Sequence, residues 1–141
     1  LVVLIQPYTG LRTLYLESNA ISTIESLDCL PNLRCLYLGK NLISSLQGLQ
    51  QLTQLEVLDV SHNRILNCCG LRSLVSLRSL NLSNNRLSTA ADLAQLPACT
   101  RLVTLDLSDN KLSGDGVLDL LAGAQWLLLR LQGNPLVGHT E

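Results

Sequence analysis

The stretch Leu77 to Leu87, LRSLNLSNNRL, constrains this chain more than any other because it recurs. Its pattern is L-x-x-L-x-L-x-x-N-x-L. Five further segments keep it: Leu11 to Ile21 (LRTLYLESNAI), Leu33 to Ile43 (LRCLYLGKNLI), Leu55 to Ile65 (LEVLDVSHNRI), Leu102 to Leu112 (LVTLDLSDNKL) and Trp126 to Leu136 (WLLLRLQGNPL). Leu80 and Leu82 alternate with Ser79, Asn81 and Ser83. That period of two predicts a short strand with one buried face. Asn19, Asn41, Asn63, Asn85, Asn110 and Asn134 follow the strands in one register. A buried amide needs hydrogen-bond partners, and the free backbone groups at a strand-to-turn bend supply them. Stacked copies therefore place these asparagines in an internal ladder, where losing one partner costs about 1–3 kcal/mol.

The segments between the copies keep a different rhythm. Ile21, Ile24, Leu27, Leu30 and Leu33 follow Asn19. Ile43, Leu46, Leu49, Leu52 and Leu55 follow Asn41. Ile65, Cys68, Leu71, Leu74 and Leu77 follow Asn63. A spacing of three lines up one edge of a 3₁₀-like turn, so these arms are expected to be 3₁₀ or irregular. Val2, Ile5, Tyr8 and Leu11 share the rhythm, so residues 1–10 read as the tail of a repeat whose strand is missing. The asparagines lie 22 residues apart up to Asn85, then 25 to Asn110 and 24 to Asn134. The longer fourth repeat carries an insertion around Pro97, Ala98 and Cys99. In the fifth, residues 114–123 predict a short amphipathic α-helix, with Ser113 or Asp115 near its cap and Gly123 at its end. Trp126 stands where the other copies have leucine and is expected to plug the end of the core.

A fixed period with these residue identities resembles the leucine-rich repeat. The resemblance implies an α/β repeat fold: a solenoid with a concave parallel β-sheet and convex arms of 3₁₀ turns and short helices. Residues 1–141 then form a single domain of six repeats plus the partial one. The chain opens inside a repeat and closes just after one, the pattern expected of a fragment of a longer protein. Gly133-Asn134-Pro135-Leu136 resembles the start of the C-terminal cap of intracellular leucine-rich repeats, cut short at Glu141.

Charged residues make up only 15% and the net charge is −1, so there is no general electrostatic case for nucleic acid or anionic membrane. Leu1 to Ile5 is too short for a signal peptide or a membrane span. The five cysteines, Cys29, Cys35, Cys68, Cys69 and Cys99, are odd in number and lack a C-x-x-C pair. They read as free thiols in a reducing compartment. Cys68 falls in the apolar column and should be buried; Cys69 should point outward. The spacing of zinc ligands is absent, and neither a metal nor a cofactor is expected.

Function is expected on the exposed sheet face. Between the core leucines of each strand stand Tyr15, Tyr37, Asp59, Asn81, Asp106 and Arg130. Two residues earlier stand Thr13, Cys35, Val57, Ser79, Thr104 and Leu128. Two residues later stand Glu17, Gly39, Ser61, Ser83, Ser108 and Gln132, and then Ser18, Lys40, His62, Asn84, Asp109 and Gly133. Arg12, Arg34, Glu56 and Arg78 line the other strand margin. Tyr15 and Tyr37 should be neighbours, flanked by Arg12, Arg34 and Lys40, and tyrosine and arginine are the residue types that anchor protein interfaces. Asp59, Asp106 and Asp109, with His62 among them, should steer a basic part of the same partner. Glu17, Asn81 and Arg130 complete the expected protein-binding face. Asp59, His62 and Ser61 or Ser83 resemble an acid–base–nucleophile set only on paper, because an open sheet offers no enclosed pocket and no oxyanion donor. Gly39-Lys40-Asn41 lacks the upstream glycine and the Ser/Thr of a phosphate loop.

The 22-residue repeats with 3₁₀ arms resemble the subclass that includes the protein phosphatase 1 regulatory subunit, the spliceosomal U2 A-prime protein and several ciliary proteins. Residues 8–21 (YTGLRTLYLESNAI) resemble the entry repeat of axonemal dynein assembly factors. Residues 33–42 (LRCLYLGKNL) are similar to their next repeat and residues 99–113 (CTRLVTLDLSDNKLS) to their fifth. Asn67-Cys68-Cys69-Gly70 and the cut cap depart from their pattern. The resemblance implies a cytoplasmic, non-catalytic scaffold that helps preassemble dynein arms for cilia or flagella, with dynein chains, chaperones or co-assembly factors as partners. The subclass also contains phosphatase regulators and light-chain-like axonemal components, which would use the same face.

Overall fold

A computed structural model describes Ile5 and residues 7–136. Val2, which the sequence places in the first apolar column, and residues 137–141, where the cut cap falls, lie outside them. The described residues form one parallel sheet of six strands in chain order: β1 (Thr13–Tyr15), β2 (Cys35–Tyr37), β3 (Val57–Asp59), β4 (Ser79–Asn81), β5 (Thr104–Asp106) and β6 (Leu128–Arg130). Each strand is three residues long because the turn at the ladder asparagine ends it. The register is that of the repeat, with Leu14, Leu36, Leu58, Leu80, Leu105 and Leu129 side by side. One repeat per strand thus builds an α/β solenoid.

The core is a wall of leucine. Leu36, Leu58, Leu80 and Leu105 are at most 1% exposed, and so are the arm residues Leu46, Leu49, Leu71 and Leu74. Burying such a side chain is worth about 1.5–3 kcal/mol. The arms after β1, β2 and β3 contain turns and one 3₁₀ element, Leu27–Cys29, as the triplet spacing predicts. The arms sit close together: a Cβ on Gly48 would lie 2.0 Å from the Ile24 carbonyl oxygen, and one on Gly70 would lie 2.5 Å from that of Leu46. Both glycines also have φ above +100°, which side-chain-bearing residues rarely adopt.

The insertion before β5 forms two 3₁₀ turns, Ala90–Leu93 and Leu96–Ala98. The arm after β5 holds the α-helix α1 (Asp115–Ala122), with Val117 and Leu121 buried. Its N-cap is Gly114, between Ser113 and Asp115, its C-cap is Gly123, and no side chain caps it. Trp126 packs against the core in the last repeat. It leans half-buried under α1, and its indole N–H donates to the Leu121 carbonyl at 2.8 Å. A helix is wider than the 3₁₀ turns of the preceding arm, and the indole fills part of the space between the two. A cavity of about 430 Å³ remains there, lined by Leu96, Pro97, Cys99, Leu102, Leu121 and Trp126 among others. Cys68 is buried and Cys69 exposed.

Candidate functional site: the open sheet face

The central row of the face comes from the pleat. Leucines take the inward positions, so the residue between them faces away from the core. Pairing sets Tyr15, Tyr37, Asp59, Asn81, Asp106 and Arg130 in one line across the strands. Tyr15 and Tyr37 stack, with ring centroids 4.5 Å apart and planes 5° from parallel. Tyr15 is 65% exposed, whereas Tyr37 is half-buried. Tyr37 is thus less exposed than its place on the open face implies, and the stack covers one face of its ring. Burial first, and then the neighbouring Cys35, Tyr15 and Asp59, raise the pKa of the Tyr37 phenol above its ordinary value. It is therefore held as a neutral hydroxyl.

The margin differs from expectation. Arg34 meets Glu56 at 3.7 Å, with both side chains nearly half-exposed, so this guanidinium already has a partner. Arg12 and Lys40 are exposed. Glu17 and Arg130 are also exposed, at the first and last strands.

The column two residues after the central row is corrected more strongly. Ser61, Ser83 and Ser108 are buried, as is Gly39; only Glu17 and Gln132 at the ends are exposed. The cause is a local turn. Ser61 donates its backbone N–H (2.9 Å) and its hydroxyl (2.7 Å) to Asp59 Oδ1. Ser108 does the same to Asp106 Oδ1, at 2.9 and 2.6 Å. The Ser83 N–H donates to Asn81 Oδ1 at 3.0 Å. Asp59, Asn81 and Asp106 therefore fold back over the strand end, and each is half-buried.

The next column has a backbone property that its side chains do not share. Ser18, Lys40, His62, Asn84 and Asp109 have φ between 54° and 58°, and Gly133 has φ 80°. All six sit in the left-handed region, which turns the following asparagine back toward its strand; Asn41, Asn63, Asn85 and Asn110 are buried there, whereas Asn134 is half-buried and Asn19, in the first copy, is exposed rather than internal. Lys40, His62 and Asp109 are exposed on this bend. His62 Nε2 lies 3.4 Å from Asn84 Nδ2, while the Ser61 hydroxyl is bonded to Asp59. Serine, carboxylate and imidazole thus do not form a proton relay, which needs the imidazole between the other two. Among the described residues, no group of three His, Cys, Asp or Glu side chains is placed to hold a metal ion, and no helix is long and apolar enough to cross a membrane.

An open parallel sheet, with an asparagine after every strand and an aromatic pair beside carboxylates, defines a repeat solenoid with a recognition face. The family model for leucine-rich repeats (two copies) matches residues 9–51, 31–73, 53–98 and 75–119. The chain belongs to the leucine-rich repeat family. Proteins of this family generally serve as protein-binding scaffolds, and its domains are typically non-catalytic. No curated protein matches the chain in sequence. Among solved structures it is similar to an internalin (inlF) of Listeria monocytogenes str. 4b F2365, with TM-score 0.79 and 30% identity over 89% of this chain and 36% of that one. It is similar to internalin C2 (inlC2) of the same strain, with TM-score 0.76 and 29% identity over 89% of this chain and 54% of that one. The functional domain of InlJ from Listeria monocytogenes, described as including a cysteine ladder, aligns with TM-score 0.73 and 25% identity over 92% of this chain and 26% of that one. The chain thus spans between about a quarter and a half of the length of these proteins. Its own ladder position is asparagine in all six copies.

Proposed function

We propose that this chain is a non-catalytic protein-binding scaffold whose partner docks on the open sheet face, anchored at Tyr15 and Tyr37. The observation that carries this reading is the stacked aromatic pair on the open sheet face, with Tyr15 65% exposed and Tyr37 half-buried beside it. The pair is already ordered by stacking, so little entropy is lost when a partner covers it. We further infer that the scaffold acts in the cytoplasm, in preassembly of axonemal dynein arms for cilia or flagella. What supports this finer reading is the resemblance of residues 8–21, 33–42 and 99–113 to dynein assembly factors.

A pull-down tests both levels, with dynein heavy chain, chaperones and protein phosphatase 1 as candidate preys. Retention of dynein chains or chaperones is the expected outcome; retention of phosphatase alone replaces the assembly reading with a regulatory one. The anchor is tested in the same assay with Tyr15→Ala combined with Tyr37→Ala. Truncation of interface aromatics costs about 2 kcal/mol or more, so capture should fall by at least tenfold. Unchanged capture by a folded double variant would move the site off this face.

A further inference from the structure

We propose that the sheet face takes an extended segment of the partner protein that carries two basic side chains two residues apart. The inference rests on the protein-binding reading above and narrows it to a partner chemistry. It starts from the atoms that the central row leaves free. Asp59 and Asp106 each commit Oδ1 to the serine two residues on. Among the described residues, neither Oδ2 has a hydrogen bond or an ion pair; the ion pair there, Arg34 with Glu56, lies at the strand margin. Asn81 commits Oδ1 to the Ser83 N–H, which leaves its Nδ2 group as a free donor. From Tyr37 onward the row therefore offers an aromatic ring, an acceptor, a donor and an acceptor.

An extended basic segment supplies the complement of each. One guanidinium or ammonium group meets Asp59 while its methylene stem lies along the edge of Tyr37, since such stems cover apolar surface readily. A second meets Asp106. A main-chain carbonyl between them accepts from Asn81. The spacing selects the pattern. Asp59 and Asp106 stand two strand steps apart, about 9–10 Å at the backbone. Alternate residues of an extended chain lie about 6.7 Å apart on one side, and the long stems span the rest. Adjacent basic residues point to opposite sides and reach only one carboxylate. Arg130, at the end of the row, repels a third cation.

The test is fluorescence anisotropy on the 141-residue chain at about 0.15 M salt. Two short labelled peptides of identical composition are compared, one with arginines at alternate positions and one with them adjacent. The alternate peptide should bind severalfold more tightly. Asp59→Asn and Asp106→Asn should each weaken it about tenfold. Both variants keep the turn, because asparagine already makes the same bond at Asn81, and Glu25→Gln, exposed outside the row, should change nothing. Equal binding of the two peptides, insensitivity to Asp59→Asn, or no binding up to about 1 mM overturns the proposal. If it fails while the pull-down partner still depends on Tyr15 and Tyr37, the docking face stands with a different partner chemistry. If that dependence is also absent, both readings fall.

Discussion

Asn84 and Asn85 are neighbours in sequence with different tasks. Asn85 Nδ2 donates to the carbonyls of Val60 (3.0 Å), Leu82 (3.1 Å) and Ser83 (3.2 Å), and its Oδ1 accepts the Ile65 N–H at 2.9 Å. Leucine there would orphan groups from two repeats at once. Among the described residues no buried side-chain polar atom lacks a partner, so the interior offers no spare side-chain donor to the orphaned groups. Asn85→Leu is expected to lose several kcal/mol, since each buried orphan costs about 1–3 kcal/mol. Asn84 sits in the left-handed bend with φ 56°. Its own task is therefore a backbone one. Asn84→Ala should cost on the order of 1 kcal/mol from the Cβ clash of that conformation, and Asn84→Gly should be close to neutral. Thermal melts of the three variants rank them; equal melting points for Asn85→Leu and Asn84→Gly would break the ladder argument. The ladder was legible because its residue type repeats. The bend was not, because Ser18, Lys40, His62, Asn84 and Asp109 share a φ and no side-chain chemistry.

At the scale of elements, the strands and triplet arms were legible from their periods, whereas the ends of the longer arms depended on single side chains. The turn Ala90–Leu93 shows this. Asp92 Oδ2 accepts the Ser88 N–H (3.0 Å), the Ser88 hydroxyl (3.1 Å) and the Thr89 N–H (3.0 Å). Thr89-Ala90-Ala91-Asp92 carries the residue types of a capping box, a signal that the sequence held but the apolar rhythm overshadowed. The buried serines were hidden for a related reason: period two assigns a face to Ser61 and Ser108, but the bonds to Asp59 and Asp106 draw them under the turn. Partial burial of Asp92 pushes its pKa up, and the bonds from Ser88 and Thr89 outweigh it, so the carboxyl lies below its ordinary value. A depressed carboxylate stabilises the fold above its unfolded pKa, and that contribution disappears as pH falls through the folded value. Asp92→Ala is expected to cost about 1 kcal/mol at neutral pH, the usual range for a lost cap. Below the carboxylate range, denaturant melts of variant and parent should converge. A gap that stays constant from pH 7 into strong acid would mean that packing, not the charge, is what the variant removes.

The whole molecule is a stack in which each repeat touches only its neighbours, so stability should run as a profile along the axis. The inward strand leucines make the profile visible. Leu36, Leu58, Leu80 and Leu105 are at most 1% exposed, while their counterparts Leu14 and Leu129 at the two ends are only half-buried. Leu127, just before the last strand, is 83% exposed and Leu128, its first residue, 40%. Chemically similar positions therefore contribute unequally, because among the described residues the first and last strands pair on one side only. Backbone bonds between strands inherit the difference. The Val60 N–H donates to the Asn81 carbonyl at 3.0 Å in the middle of the stack. Near the ends, the Leu16 N–H donates to Tyr37 at 2.8 Å and the Leu107 N–H to Arg130 at 2.9 Å. These bonds have similar lengths, so length alone predicts similar protection, whereas stacking predicts a gradient. Hydrogen exchange on the 141-residue chain separates the two. Opening an end repeat exposes one interface, and opening a central one exposes two, so Val60 and Leu82 should exchange near the global unfolding limit and Leu16 and Leu107 markedly faster. Tyr15 lies on the first strand, and a docked partner that covers it would add contacts at that end. Protection of Leu16 should then rise on partner binding toward the value at Val60. A flat profile in the free chain, or binding that leaves Leu16 unchanged while protecting only Leu107, would place the partner's anchor elsewhere along the axis.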